Sequence, residues 1–299
     1  MKKRIHSPLG SRMLLGSIPY VMVAPAMVFL LIFTFYPMLN MVYLSFFEYD
    51  LLTPKKFVGF QNYYRLFFEN IDFWPVLWNT VVYSLAVVFF LILFAIIFAC
   101  WFQNSTRMNA LAQRVMFFPH LCATLSVAMV FQWLMSEEGL FNVVLNFFNL
   151  PGLRWLNDSS TAMISVVIVS VWKGIGYYAL ILLSSLKAIP AEINEAAALD
   201  DAGPVTKFFK ITIPMLSPQL FFLLITITIS SFKVFDSVKV LTNGGPGQST
   251  EVLVYYIYKQ AFTNAKMGYA CAAGTVLILL LLVLTILYFR AFSRKVHYQ

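Results

Sequence analysis

The residues with the clearest potential for chemistry are two lysines, Lys173 and Lys233, which lie inside long apolar stretches of the chain. A charged side chain within a membrane span is costly, so it is by default a candidate for a solute or ion path. Gly174 and Tyr177 follow Lys173 closely. Together they offer a donor, a small residue and an aromatic face, which suit the apolar faces and hydroxyls of a sugar. The expected chemistry is therefore solute recognition.

Polar residues also surround Lys233. Ser230 and Ser231 precede it, and Asp236 follows three residues later. We take Ser231 as the best candidate for a solute contact here. Two other interpretations stay open: Lys233 and Asp236 could form an ion pair, and the two serines could serve close packing between helices.

No catalytic or metal-binding arrangement is visible in the sequence. Ser231 and Lys233 are two residues apart and would not face each other on a helix. The phosphate-binding pattern Gly-x-x-x-x-Gly-Lys-Ser/Thr is absent. We therefore expect no enzyme, and neither a cofactor nor a metal bound by this chain. The remaining candidates for such chemistry are scattered along the chain: His6, His120, His297, Cys100, Cys122 and Cys271.

The composition identifies an integral membrane protein. The chain of 299 residues is 60% hydrophobic and 11% charged, which is more apolar than a soluble domain of this length can bury. About 20 consecutive apolar residues cross a bilayer as a helix, whereas barrel strands alternate. The sequence predicts an all-α, polytopic membrane fold with six transmembrane helices: Ile18–Phe46, Leu77–Phe102, Val115–Met135, Ala162–Leu186, Gln219–Phe235 and Met267–Phe289.

Lysine and arginine predict the orientation of these spans. With the N-terminus in the cytoplasm, twelve of them lie in inner segments and seven in outer loops. We therefore expect cytoplasmic tails at residues 1–17 and 291–299, a membrane domain at 18–290, and a cytoplasmic loop at 187–217. The net charge of +8 follows from this topology and requires no nucleic-acid partner.

The stretch from Glu192 to Pro218 is polar and helix-forming, although it lies between two apolar runs. Good helix formers fill Ala191 to Asp201, and Ala202-Gly203-Pro204 ends that helix. A second short helix is predicted at Val205 to Lys210. Because membrane insertion alone does not require such a segment, we interpret it as a docking surface for a partner.

A motif within this stretch resembles the cytoplasmic EAA loop of bacterial ABC importer permeases. The family pattern is Glu-Ala-Ala, three residues, Gly, nine residues, then Ile-x-Leu-Pro. Ile213 replaces Leu, and Asp201 occupies the usual Gly position, with Gly203 two residues later. The residues that fit in register are Glu195, Ala196, Ala197, Ile211 and Pro214.

Three further runs are similar to the carbohydrate importer permeases of the maltose, raffinose and glycerol-phosphate systems: Trp172–Tyr178, Leu186–Pro190 and Leu241–Pro246. This resemblance implies a type I ABC importer permease fold in a bacterial plasma membrane, with both termini cytoplasmic. It implies four partners besides membrane lipid: a second permease subunit, two cytoplasmic ATPase subunits and an extracytoplasmic sugar-binding protein. ATP and Mg²⁺ would be bound by the ATPase.

The resemblance also assigns roles to residues, and it implies import of a disaccharide or oligosaccharide. The residues implied to couple to the ATPase are Glu195, Ala196, Ala197, Asp200, Gly203 and Pro214. Those implied to line the substrate path are Ser170, Lys173, Gly174, Tyr177 and Ser231.

Two alternative functions differ from this one in the residues or solute that they require. A secondary transporter driven by an ion gradient would carry carboxylates within its spans, and only Asp236 borders on that description. An ABC importer permease for a non-sugar solute, such as a polyamine or an amino acid, stays open because the sugar assignment rests on resemblance.

Overall fold

The computed structural model describes residues 9–104 and 106–292. Four short π-helical segments, Leu31–Phe35, Arg65–Glu69, Phe208–Thr212 and Lys259–Thr263, extend or join the α-helices. The helices in chain order are α1 (Leu9–Leu30), α2 (Tyr36–Leu44), α3 (Gln61–Tyr64), α4 (Phe73–Phe102), α5 (Arg107–Leu121), α6 (Thr124–Leu134), α7 (Leu140–Phe147), α8 (Ala162–Lys187), α9 (Ala191–Leu199), α10 (Pro204–Lys207), α11 (Ile213–Met215), α12 (Ser217–Phe232), α13 (Asp236–Leu241), α14 (Leu253–Tyr258) and α15 (Met267–Phe292).

The described residues hold four helices that are long and apolar enough to cross a membrane, and up to six crossings if each of two bent helix pairs counts as one. Two bent helix pairs, α5 with α6 and the Pro204–Met215 segment with α12, each supply one crossing when counted together. The all-α prediction is confirmed, since strands in the described residues are confined to a two-residue antiparallel pair, Phe47–Glu48 with Lys56–Phe57. The four unbroken helices of sufficient length and hydropathy are Tyr20–Leu44, Phe73–Phe102, Ala162–Lys187 and Met267–Ala291.

The first helix begins earlier than the sequence predicts. Because α1 starts at Leu9, the second half of the predicted tail at 1–17 is helical. Residues 1–8 and 293–299, which hold the rest of the two predicted tails, lie outside the described residues. The domain boundaries therefore stay a prediction.

The third predicted span, Val115–Met135, is wrong as one continuous helix. The chain turns by 101° between α5 and α6. Pro119 lies in the last turn of α5, which it weakens because it has no N–H to donate to the Val115 carbonyl. Cys122 and Ala123 then adopt extended backbone, with ψ of 144° and 134°. The apolar pattern conceals this break because most of the residues around it are themselves apolar.

The fifth predicted span, Gln219–Phe235, is also interrupted. Helix α12 ends at Phe232, residues 233–235 leave helical geometry, and α13 then packs against α6. At its other end, α12 meets the Pro204–Met215 segment at an angle of 66°. The short helix predicted at Val205–Lys210 is therefore part of a longer segment that runs across the axis of α12.

Helices α4 and α8 form the centre of the bundle. Tyr83, Val87 and Leu91 follow one another at intervals of four along the buried face of α4. Ala95 and Ala99 continue that face and are fully buried, and small residues of this kind let helices approach closely in a membrane. Helix α8 packs along α4, while α5 packs on α8 and α12 packs on α4. The residues of α8 singled out by the sequence therefore lie at the middle of the molecule.

Helix α14 is anchored to the start of α4. Thr80 Oγ1 accepts a hydrogen bond of 2.8 Å from the Leu253 backbone N–H, and Asn79 donates to the carbonyl of Glu251 at 3.2 Å. The Glu251 carboxylate is buried and pairs with Lys259 Nζ at 3.0 Å. Helix α14 is therefore held against the bundle at its N-terminal end.

Candidate functional site

Ser170 and Gly174 lie on the face of α8 that packs against α4. The Tyr83 hydroxyl donates to Ser170 Oγ at 2.8 Å, and Ser170 Oγ donates to the Val166 carbonyl at 2.9 Å. A Cβ on Gly174 would lie only 3.0 Å from the Leu91 side chain. At both positions the small side chain serves contact between helices.

Lys173 and Tyr177 lie on a neighbouring face of α8, which meets the C-terminal end of α5. Lys173 Nζ donates to the backbone carbonyl of His120, with a nitrogen to oxygen distance of 3.4 Å. The rings of His120 and Tyr177 stack with centroids 4.1 Å apart and planes within 2° of parallel. All three side chains are half-buried. They form a polar and aromatic cluster at the break between α5 and α6.

Gly176 brings the backbones of α5 and α8 together at this cluster. A Cβ at position 176 would clash with the backbone carbonyl of Met116. Only glycine allows such close approach without displacing one helix. The cluster therefore lies beside the tightest described contact between these two helices.

Ser231, predicted to line the path, is buried on α12 with 4% of its surface exposed. Its Oγ donates to the Thr228 carbonyl of the same helix at 2.9 Å. Ser230 is exposed instead, and its Oγ donates to the Thr226 carbonyl of the same helix at 2.8 Å. This arrangement favours the packing interpretation for Ser231.

Lys233 and Asp236 do not form the ion pair that the sequence left open. Both side chains are exposed and flank the interruption between α12 and α13. The ion pairs formed within residues 9–104 and 106–292 join other side chains: Arg65 with Glu48, Arg154 with Glu137, and Lys259 with Glu251.

Sequence reasoning missed His120 and Tyr83 as members of the site. Each contacts α8 across a long sequence separation, so no local spacing points to the contact. One signal was available: Pro119 and His120 form a helix-breaking and polar pair within an otherwise apolar run. Across the described part of the chain, His, Cys, Asp and Glu form no group of three that could hold a metal ion.

The Glu-Ala-Ala segment ends in a left-handed turn at Asp201. Helix α9 ends at Leu199, Asp201 has φ of 51°, and the Ala202 N–H donates to the Ala197 carbonyl at 3.0 Å. This closure is a Schellman motif, which usually places glycine at the left-handed position. The turn forms although Asp201 stands where this motif usually has glycine.

The residues predicted to couple to a partner are mostly accessible. Glu195, Ala196, Asp200 and Gly203 are exposed. Two others face the protein instead: Ala197 is 5% exposed and Pro214 is half-buried.

Large apolar side chains are exposed in the same segment. Leu199 is 89% exposed, Val205 68% and Phe209 64%. Val205 and Phe209 are four residues apart on one continuous helical segment, so they share a face. Exposed apolar groups beside exposed polar ones are typical of a protein interaction surface.

A separate cavity of about 890 Å³ lies between the loop after α2 and the segment before α15. Its lining includes Glu48, Asp50, Arg65 and Lys266, but none of the predicted path residues. The pKa of Asp50 is lowered because its carboxylate accepts hydrogen bonds from the backbone and hydroxyl of Thr53.

Four unbroken apolar helices and two bent helix pairs define the class as a polytopic membrane protein. A family model described as "Binding-protein-dependent transport system inner membrane component" matches residues 91–298. The chain belongs to this family, and it is a permease subunit of an ABC importer.

Named relatives extend over almost the whole chain. The "Probable ABC transporter permease protein YurN" of Bacillus subtilis (strain 168) is 36% identical over 92% of this chain and 96% of its own length. The "sn-glycerol-3-phosphate transport system permease protein UgpA" of Pectobacterium atrosepticum is 35% identical, covering 94% and 96%. The "Sulfoquinovosyl glycerol transport system permease protein SmoG" of Agrobacterium fabrum is 32% identical, covering 96% and 92%.

A solved structure has the same fold. It is a chain of a bacterial alginate ABC transporter in complex with an alginate pentasaccharide-bound periplasmic protein. The TM-score is 0.83 over 96% of this chain and 98% of that one, at 21% sequence identity. The predicted type I importer permease fold is thereby confirmed.

Proposed function

We propose that this chain is half of the translocation path of an ATP-driven importer for a sugar or sugar derivative of disaccharide or oligosaccharide size. The observation that carries the solute class is similarity over 94% and 96% of this chain to permeases named for sn-glycerol-3-phosphate and sulfoquinovosyl glycerol. The proposed size follows the resemblance of Trp172–Tyr178 and Leu241–Pro246 to the maltose and raffinose permeases. The aromatic and polar cluster of Lys173, His120 and Tyr177 supports it, because rings and donors suit a sugar.

A second permease subunit completes the path in this proposal. The Lys173 cluster is only half-buried, and the cavity of about 890 Å³ lies elsewhere. When two subunits share a path, each subunit lines only one part of it and forms no closed pocket by itself. An extracytoplasmic binding protein would deliver the solute, as the family description implies.

The Glu-Ala-Ala segment docks on a cytoplasmic ATPase in this proposal. Glu195 offers a carboxylate for a basic residue, and Leu199, Val205 and Phe209 offer apolar contact area. Lys187 and Lys210 in the same loop support a cytoplasmic location, because inner loops are rich in Lys and Arg. ATP and Mg²⁺ are bound by that partner, and both termini share its side of the bacterial plasma membrane.

Charge reversal at Glu195 tests the docking role. We expect Glu195→Arg to leave the permease inserted and assembled with its second permease subunit but to abolish ATP-driven uptake in proteoliposomes, because the reversed charge repels a basic partner residue. Glu192→Arg, on the same helix but outside the motif, is the matched control and should retain uptake. Full uptake by Glu195→Arg at normal expression would count against docking through this residue.

A further inference from the structure

We propose that Lys173 is a positioning residue: its ammonium group caps the interrupted end of α5 and thereby holds the stacked rings of His120 and Tyr177 in the path. The assignment deepens the proposed function and rests on it only for the transport consequence. It differs from a direct role for Lys173 in binding the solute.

The end of α5 has carbonyl groups that need donors. A helix leaves its last four carbonyls without intrahelical partners, and unpaired backbone groups are costly where water is excluded. The Cys122 backbone N–H donates to the Pro119 carbonyl at 3.3 Å, and Cys122 Sγ contacts the Phe118 carbonyl at 3.7 Å. The His120 carbonyl receives its bond from Lys173 at 3.4 Å. The ammonium group thus supplies a donor that the broken backbone lacks.

The end of α5 also supplies the counter-charge that Lys173 needs. The three ion pairs of the described residues leave Lys173 without a carboxylate within 4 Å. A helix C-terminus carries a partial negative charge, which favours a nearby cation. The ammonium is therefore accommodated inside the bundle with no requirement for an anionic solute.

The same contact fixes an aromatic ring that faces α8. Two residues on one side of α8 contact His120. Lys173 donates to its carbonyl, and Tyr177 stacks on its ring. Lys173 and Tyr177 are one helical turn apart, and Gly176 keeps the two backbones close between them. Without the ammonium, the His120 carbonyl loses its bond to α8 and ring stacking on Tyr177 is left to hold His120 there, so the break loosens.

Cys122 is a native reporter of this break because it lies between α5 and α6 and is partly accessible. The importer is assembled in proteoliposomes with Cys100→Ala and Cys271→Ala in this chain. Cys122 is then the one of its three cysteines that N-ethylmaleimide can alkylate. We expect Lys173→Met to raise the Cys122 alkylation rate roughly tenfold, the size of one lost hydrogen bond to a charged group. Lys173→Arg should restore the slow rate. Lys233→Met, which removes the exposed lysine just after α12, should leave the rate within about twofold of the parent.

Uptake kinetics separate positioning from general structural support. Lys173→Met should lower the maximal rate of ATP-driven uptake while the half-saturating concentration of the solute-loaded binding protein stays unchanged, and Lys173→Arg should recover the rate. If Lys173→Met fails to assemble, Lys173→Gln takes its place, because glutamine keeps a neutral donor. Its Cys122 alkylation rate should exceed that of the parent by less than the roughly tenfold expected for loss of the bond to a charged group.

An unchanged alkylation rate in Lys173→Met, or in Lys173→Gln if the Met variant fails to assemble, overturns the proposal. So does a Lys173→Arg variant that reacts as fast as Lys173→Met. Because alkylation is measured without a solute, it remains decisive even if the importer proves to carry something other than a sugar.

Discussion

At the scale of single residues, Asp201 carries a local cost within the coupling segment. A left-handed backbone costs a non-glycine residue roughly 1–2 kcal/mol, although the short polar side chain of Asp tolerates it better than most. Asp201 accepts φ of 51° because the Ala202 N–H to Ala197 carbonyl bond closes the helix end. The surface proposed to meet the ATPase is therefore shaped by one unfavourable backbone angle.

Substitution at Asp201 tests this turn. We expect Asp201→Gly to keep the closure, whereas Asp201→Val should cost roughly 1–2 kcal/mol because a β-branched side chain resists the left-handed region. Hydrogen exchange of the Ala202 amide measures the effect directly, since that amide forms the closing bond. Equal exchange rates in the two variants would contradict the assigned backbone geometry, and amides within α8 serve as the internal control.

Among single residues, local sequence predicts a motif but not a contact between distant helices. The Glu195 motif was found because its members lie within one continuous stretch. The contact of His120 with Lys173 and Tyr177 was not found because it depends on where α5 stops and how α5 crosses α8. Sequence spacing carries no information on a crossing angle.

At the scale of elements, the α5–α8 contact organises the candidate path. Gly176 allows the two backbones to touch, Lys173 bonds the end of α5, and Tyr177 stacks on His120. In a membrane, close packing replaces the hydrophobic effect as the main source of helix association. A small change in the separation of these helices should therefore affect stability and path geometry together.

A single methyl group at position 176 tests that contact. Gly176→Ala should lower the free energy of unfolding by roughly 1–3 kcal/mol, the usual cost of overpacking, because its Cβ would clash with the Met116 carbonyl. Thermal unfolding of the permease in detergent measures the loss. Gly203→Ala is the matched control, since no atom lies within 4 Å of the added Cβ and φ is an ordinary −58°. Equal midpoints for both variants would exclude close α5–α8 contact.

For the membrane spans, too, the sequence predicts some features and not others. Apolar length located four unbroken spans and the two bent helix pairs that raise the number of crossings to as many as six. It could not predict the turn of 101° after Pro119 or the interruption after Phe232, because length and hydropathy do not encode direction. Proline in the last turn of α5 was the physical signal for the first break.

At the scale of the whole molecule, the chain is one subunit of a transport system. Residues 91–298 match the inner membrane component of binding-protein-dependent transport. The cluster of Lys173, His120 and Tyr177 is only half-buried, and apolar side chains are exposed near Glu195: Leu199, Val205 and Phe209. These two incomplete surfaces are the physical basis for proposing a second permease and an ATPase as partners.

The most direct test of this account is uptake by the reconstituted importer. The chain is placed in liposomes with its second permease subunit, the ATPase and the binding protein, and uptake of labelled disaccharides, oligosaccharides and sugar derivatives is measured. We predict uptake of a sugar or sugar derivative that requires ATP, the binding protein and every subunit. Uptake by this chain alone without ATP would contradict the account, and so would a complete assembly that carries only non-sugar solutes.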